Sequence, residues 1–398
     1  MTASSIDTRQ PFSIQIIDSL SPHGLEYFNN QGPFNLAKNT EQPHAIILRS
    51  TNLHDYMFPD SVEILGRAGA GTNNIPVDTL TSRGIPVLNT PGANANAVKE
   101  LALAGLLLSS RKICSAWEYV QSLPNNDQLS TTIEANKKQF TGTELPGKTL
   151  GVIGLGKIGV NVANAANHLG MRVLGFDPAI SVQNAWQLNS QVEQINSLTE
   201  LLQQVDFLTL HIPLTKETTH FINQERINSM KKSAVILNFS RANIVDHTAI
   251  KSALDNNTLQ CYVSDFPNTV LHNHPNTITL PHLGASTQEA QDNCARMIAS
   301  QVHDYLINGT ITHSVNFPTI QMKRNTGYRI SITNRNIPNM VAQVSSVLSE
   351  NGLNILEMIN QSRNDIAYNL IDIDQPIQQQ QLNALQAIDG ILRIRNLD

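Results

Sequence analysis

The chain has 398 residues, which at ordinary domain sizes of roughly 100–200 residues makes two or three domains and excludes a peptide or a lone binding module. Its 27 Lys+Arg against 32 Asp+Glu give a net charge of −5 with no block of like charges, which excludes a reader of the nucleic-acid backbone. Charged residues make up 15% of the chain, below the usual ~25%, but abundant Asn and Gln supply polar surface, so the composition is globular rather than disordered.

In chain order, the opening MTASSIDTRQPFSIQIIDSL lacks the basic-then-apolar order of a signal peptide. Apolar β-rich runs then alternate with stretches of helical period to about residue 310, the pattern of parallel βαβ units. The candidate strands include Ala45–Leu48, Val62–Leu65, Val87–Leu88, Thr149–Ile153, Arg172–Phe176, Phe207–Leu210, Ala234–Leu237 and Thr277–Leu280. Residues 95–120 read as one long, largely buried helix with no Gly/Pro cluster to break it. Polar, turn-rich residues 121–132 read as loop. The α/β pattern ends around His313–Asn325. Beyond it the run is β (Tyr328–Thr333), α (Met340–Glu350), β (Ile355–Ser362), β (Ile366–Asp372), α (Gln378–Ala387), β (Ile391–Asn396), a βαββαβ unit. The longest apolar run, Leu101 to Leu108 with one Gly inside it, is too short to span a membrane. Cys114, Cys261 and Cys294 fit no metal spacing, so the expectation is a reduced, cytoplasmic protein without a structural metal or a membrane partner.

The densest signal runs from Thr149 to Pro178. Gly154, Gly156 and Gly159 form GxGxxG directly after an apolar strand and at the start of a helix. The first glycine makes the tight turn, the second lets the backbone approach a pyrophosphate, and the third allows close helix–strand packing. Amides at the helix N-terminus, at Gly156, Lys157 and Ile158, hold the phosphates. Asp177, ending the next strand, accepts hydrogen bonds from a ribose 2′-hydroxyl and repels a 2′-phosphate, which favours NAD over NADP.

Two further strands end in chemistry. AVILNFSRANIVD carries Arg241 at the carboxyl end of its strand, and TITLPHLGAST carries His282 at the same edge, where open parallel sheets bind ligands. A 2-hydroxy acid calls for a planar, permanent cation to grip its carboxylate and C2 oxygen, which is guanidinium. Moving the C2 hydroxyl proton calls for a group that titrates near neutrality, which is imidazole.

With these residues in place the sequence resembles the D-isomer-specific 2-hydroxyacid dehydrogenases, most closely the D-3-phosphoglycerate dehydrogenases. The resemblance is carried by GRAGAGTNNIPVD (66–78), NTPGANANAVKELALAGLLL (89–108), the Gly154 fingerprint, LHIPLTKET (210–218), NFSRANIVD (238–246) and PHLGAST (281–287). It implies an α/β fold of two doubly wound, Rossmann-like domains: a discontinuous substrate domain, 1–98 and 288–320, with an NAD-binding domain, 99–287, inserted into it. It assigns substrate orientation to Arg241 and acid/base work to His282. It places His211, Pro213 and Thr218 along the cofactor and Asp265 near the nicotinamide amide. Backbone amides around Ala70 and Gly71 would hold the substrate carboxylate, and Arg49 or Arg67 its phosphate. One departure stands out: Thr269 falls where the family carries a Glu paired with the histidine. Either another carboxylate folds into place, or His282 works without one, or the catalytic step is impaired.

Residues 321–398 resemble an ACT domain, a small-ligand-sensing module. By that resemblance Asn336 and Asn354 bind L-serine as an effector across a subunit interface, and the module's edge strands promote a homodimer or homotetramer. Asn334 stands where a His is often found, and Asn339 takes the place of the Gly that usually follows Pro338; Asn tolerates the positive φ such a turn needs. The implied reaction is NAD-dependent oxidation of D-3-phosphoglycerate to 3-phosphohydroxypyruvate. The alternatives are reduction of another small 2-keto acid, such as hydroxypyruvate, glyoxylate or 2-oxoglutarate, and a non-catalytic NAD-sensing interaction protein.

Overall fold

A computed structural model describes residues 11–29, 31–325 and 327–398; the first half of the opening segment read for a leader lies outside them. The chain divides into two compact units, one made of the residues up to Ala93 together with Gln291–Asp398, the other of Asn94–Ala290.

The first unit opens with β1 (Phe12–Ile16), α1 (Pro22–Asn29), β2 (Phe34–Ala37), β3 (Ala45–Leu48), β4 (Ile64–Arg67), α2 (Val77–Ser82) and β5 (Val87–Leu88). Its five strands lie parallel in the order β2-β1-β3-β4-β5. Side chains alternate across a strand, and here both faces are buried: Ala45 and Ile47 enter one core while Ile46 and Leu48 enter the other.

The second unit holds α3 (Ala95–Ser110), α4 (Ile113–Ser122), α5 (Leu129–Asn136), β6 (Thr149–Ile153), α6 (Lys157–His168), β7 (Arg172–Phe176), α7 (Val182–Ala185), β8 (Glu193–Gln194), α8 (Leu198–Gln204), β9 (Phe207–Leu210), α9 (Gln224–Asn228), β10 (Val235–Asn238), α10 (His247–Asp255), β11 (Cys261–Ser264) and β12 (Thr277–Thr279). Its sheet is parallel in the order β12-β11-β10-β9-β6-β7-β8. The chain leaves β6 toward one edge and later returns to the other side of it at β9, which makes β6/β9 the topological switch point where such sheets take a dinucleotide.

The single helix expected over residues 95–120 is two helices. Lys112 adopts φ +49° between them, and the carbonyl of Ser110 accepts from Thr143 N at 2.9 Å instead of continuing a helical ladder. The second piece, α4, has no buried residue, against the expectation of burial. The stretch read as loop, 121–132, contains the end of α4 and the start of α5.

The first unit resumes in α11 (Gln288–Asn308) and closes with β13 (Tyr328–Arg335), α12 (Met340–Glu350), β14 (Ile355–Arg363), β15 (Ile366–Ile373), α13 (Gln379–Gln386) and β16 (Ile391–Asn396). The four strands are antiparallel in the order β14-β15-β13-β16. Asn339 sits at φ +72° immediately ahead of α12, the left-handed conformation its place after Pro338 requires. β15 is buried along its whole length. Ile371 and Ile373 pack with α12 and α13, while Tyr368 and Leu370 pack with Val302, Tyr305 and Leu306 of α11.

The C-terminal sheet is thus bonded into the core of the first unit. Arg329, fully buried, meets Asp372 through Nε at 2.6 Å and Nη2 at 2.9 Å, and Nη1 donates to Met322 O. Arg395 bonds Glu63 and the carbonyls of Tyr305 and Leu306. Arg324 donates to Ile307 O and Tyr368 Oη to Gly309 O. The last carbonyls of a helix have no partner inside it, and arginines there also complement the helix dipole. Arg395 and Arg324 fill that role at the end of α11.

Candidate active site

The Gly154–Gly159 loop leaves β6 at the switch point. Gly154 has φ +90°, and a Cβ on it would stand 2.5 Å from the carbonyl of His211. A Cβ on Gly159 would collide with Gly154 O, so only glycine lets α6 pack this close to the strand. Gly156 caps α6 without a side-chain hydrogen bond and has open space in front of it. Lys157 and Ile158 form the first turn behind it. Asp177, one residue past β7, accepts from Leu155 N at 2.8 Å and Ala179 N at 2.9 Å, and so fastens the glycine loop as well as ending the strand.

His211 follows β9. Its Nε2 lies 3.0 Å from Thr209 Oγ1, and Nδ1 is buried with no partner among the described residues. Burial pushes its imidazole down to about 4. Thr218 Oγ1 donates to Pro213 O at 2.6 Å and accepts from Thr215 N at 2.7 Å, closing the exposed turn that carries Pro213. An uncapped helix N-terminus facing open space, glycines that side chains would fill, and an orphaned polar atom at the neighbouring strand end fit a dinucleotide.

The depressed imidazole makes a stability prediction. An unfolded His211 takes up its proton near 6.5 and the folded one only near 4. Between those values unfolding binds a proton, so stability falls as pH falls through the window and is unaffected above it. The full shift is worth about 3 kcal/mol. In denaturant melts, His211→Asn should lose about 2 kcal/mol less than the parent between pH 7 and pH 4.5. Equal losses would show that His211 is not held neutral by the fold.

Arg241 follows β10. Asn238, fully buried, donates from Nδ2 to Arg241 O at 3.0 Å and accepts at Oδ1 from Ser240 N at 3.2 Å. Ser240 Oγ donates to Leu210 O at 2.7 Å. The turn is pinned from both sides while the arginine side chain is exposed, with Nη1 on Ser240 O at 2.7 Å.

His282 lies three residues past β12, exposed, with φ +57°. Its ring meets the ring of Phe266 edge-on at 5.1 Å. Asp265, one residue past β11, is 1% exposed. Its carboxylate accepts from Leu283 N at 2.6 Å and Gly284 N at 2.7 Å. Thr269 is exposed in a turn folded by Asn268, whose Oδ1 accepts from Val270 N and Leu271 N. Among the described residues of this unit, no carboxylate is bonded to the His282 ring.

In the first unit, Arg49 follows β3 and Arg67 ends β4. Arg67 Nε donates to Arg49 O at 3.0 Å. Asp18, two residues past β1, carries no motif that marks it in the sequence. Its carboxylate accepts from the amides of Arg49, Ser50 and Thr51 and from Thr51 Oγ1. Burial alone would raise it, but these bonds outweigh burial and hold it below the usual carboxylate range. Ala70 O accepts from Asn89 Nδ2 at 2.6 Å, and Gly69 O from Thr90 N, which tethers the Ala70–Gly71 loop to the chain after β5.

Asn336 and Asn354 stand at opposite ends of the C-terminal sheet. Asn336 Nδ2 donates to Asn364 O in the β14–β15 turn, whereas Asn354 precedes β14 and its amide bonds Asp374. One chain does not bring them together.

Residues 103–284 match the family model described as D-isomer specific 2-hydroxyacid dehydrogenase, NAD binding domain. The chain is 30% identical over 378 residues to the D-3-phosphoglycerate dehydrogenase of Escherichia coli (strain K12), covering 91% of this chain and 88% of that one. It is 37% identical over 271 residues to the D-3-phosphoglycerate dehydrogenase of Methanocaldococcus jannaschii, covering 67% of this chain and 49% of that one, so it spans about half the length of that relative. The crystal structure of cofactor (NAD+) bound 3-phosphoglycerate dehydrogenase in Entamoeba histolytica is similar at a TM-score of 0.60 and 26% identity, over 77% of this chain and 99% of that one. No helix among the described residues is long and apolar enough to cross a membrane. The glycine loop at the switch point, the pinned Arg241 and His282 at one sheet edge, and these likenesses together place the chain in the D-isomer specific 2-hydroxyacid dehydrogenase family, with its second unit as the NAD-binding domain.

Proposed function

We propose that the protein oxidises D-3-phosphoglycerate to 3-phosphohydroxypyruvate with NAD, the first step of phosphorylated serine biosynthesis, in the cytoplasm. The likeness to the E. coli D-3-phosphoglycerate dehydrogenase over 88% of that protein carries this reading. NAD+ supplies the hydride acceptor. The amides of Gly156, Lys157 and Ile158 would hold its phosphates and Asp177 its ribose, with His211, Pro213 and Thr218 lining the rest of its site. Arg241 grips the substrate carboxylate and C2 oxygen in two parallel bonds. His282, neutral, takes the C2 hydroxyl proton as the C2 hydride leaves, and returns it in the reverse direction. Arg49 and Arg67 are assigned to the phosphate, and the amides of Ala70 and Gly71 to the carboxylate.

A panel of 2-hydroxy and 2-keto acids assayed with NAD(H) tests the reading. The highest kcat/KM is expected with the phosphorylated pair. A higher value with glyoxylate or 2-oxoglutarate would overturn the substrate, and no turnover with any of them would overturn the enzyme. Asp177→Ala should weaken NAD binding about tenfold and improve NADP use, because it deletes a ribose acceptor and the charge that repels a 2′-phosphate. An unchanged preference would show that another group sets it.

L-serine is proposed as effector in a homodimer or homotetramer. β14 is an exposed edge strand, and unpaired edges invite pairing. Antiparallel pairing of two such edges about a two-fold axis would bring Asn354 of one chain level with the β14–β15 turn of the other, where Asn336 is bonded. Calorimetry with millimolar L-serine should show binding that Asn354→Ala abolishes; no heat in the parent would remove serine from the account.

A further inference from the structure

His282 occupies the left-handed region at φ +57°, which a side chain other than glycine adopts only where the surroundings impose it. Those surroundings are supplied by the residues just past β11 and β12. The main-chain N–H of His282 donates to Asp265 O at 3.1 Å and to Leu280 O at 3.0 Å. The next two amides donate to the two oxygens of the Asp265 carboxylate at 2.6 and 2.7 Å. Phe266, the neighbour of Asp265, touches the imidazole, and its own amide is tied to Ser264 Oγ. Asp265 is itself fixed, with its N–H on Asn238 O at 3.2 Å. That carbonyl belongs to the residue that also pins the Arg241 turn.

We propose that Asp265 is the positioning residue for His282. Its buried carboxylate, by accepting the amides of Leu283 and Gly284, holds the preceding residue in the conformation that presents the imidazole to the substrate. This rests on the reading of His282 as acid/base. Each carboxylate oxygen accepts one of these two amides. Charge matters here: an ionised carboxylate accepts at both oxygens, whereas an amide side chain turns one NH₂ toward a main-chain N–H and leaves that donor unmatched.

The test is Asp265→Asn, with Gly284→Ala beside it. A Cβ on Gly284 would stand 3.1 Å from Asp265 Oδ2 and push on the same clamp without touching its charge. A displaced reacting group is expected to lower kcat about thirtyfold in Asp265→Asn and about tenfold in Gly284→Ala, on the scale known for misplacements near 1 Å. The fall in kcat should persist at saturating NADH, with NADH affinity followed separately by fluorescence titration. Hydrogen exchange at the amides of Leu283 and Gly284 should be slow in the parent and at least tenfold faster in Asp265→Asn, which a merely altered cofactor contact would not produce. Weakened NADH binding with kcat unchanged at saturating NADH would overturn the proposal in favour of a cofactor ligand, and so would unchanged exchange at both amides. If the parent turns over no hydroxy acid, the catalytic reading fails, while the exchange measurement still decides whether Asp265 holds the loop.

Discussion

His282→Gln should lower kcat about a thousandfold in both directions and leave NADH affinity within about twofold. Glutamine keeps a hydrogen-bonding group at nearly the same reach, so what disappears is the capacity to take and return a proton. The side chain is exposed and its ring packs edge-on against Phe266, so the substitution opens no core cavity and the folded state should survive it. Circular dichroism and a urea melt establish that survival. Steady-state rates on the phosphorylated pair, with NADH titrated by fluorescence, then give the split between kcat and binding. A variant within fivefold of the parent would take the proton transfer away from His282 and send the search to another group at this sheet edge.

Arg241→Lys should lower kcat/KM about a hundredfold. An ammonium preserves the charge but makes single-point contacts, and the second of two parallel charge-assisted bonds is worth about 1.5–3 kcal/mol. The backbone of Arg241 is fixed by Asn238 and Ser240 independently of its side chain, so lysine inherits the same starting point and cannot regain the grip by moving the turn. Exogenous guanidine should restore part of the activity in Arg241→Ala and none in the lysine variant, whose butylammonium occupies the space. Near-parental kcat/KM in Arg241→Lys would remove the arginine from the substrate.

The sequence is most transparent where one residue has to satisfy a local geometric demand. Gly154 and Gly159 are dictated by a left-handed turn and a helix packed against backbone, so the nucleotide loop can be read residue by residue. Asn339 announces its positive φ in the same way, and Met340–Glu350 and Ile391–Asn396 end where their patterns end. Legibility fails where the cause lies far along the chain. The break at Lys112 accompanies a bond from Thr143 to Ser110, which no window around residue 112 contains. Asp18 ends an apolar strand just as Asp177 does, but the three amides it gathers lie about thirty residues on. Asp265 could be marked as a site residue from its motif, yet its bonds to Leu283 and Gly284 follow from the adjacency of β11 and β12. Arg329 is one cation in a strand until Asp372 arrives beside it through the β13–β15 pairing.

The shared core of the first unit sets an order of events on the ribosome. Ile14 near one end of the chain and Leu397 at the other belong to the same hydrophobic cluster, together with Tyr305 and Tyr368. The second unit is complete once Ala290 has emerged, and at usual rates of ~5–20 residues per second it has several seconds to fold before the last hundred residues follow. During that interval α11 emerges and joins the cluster of β1 and β3, while the cluster residues of β15 and Leu397 are still to come. The nascent first unit therefore waits, apolar face uncovered, for the strand that carries Tyr368, and that waiting period is when chaperone capture and premature aggregation compete for it.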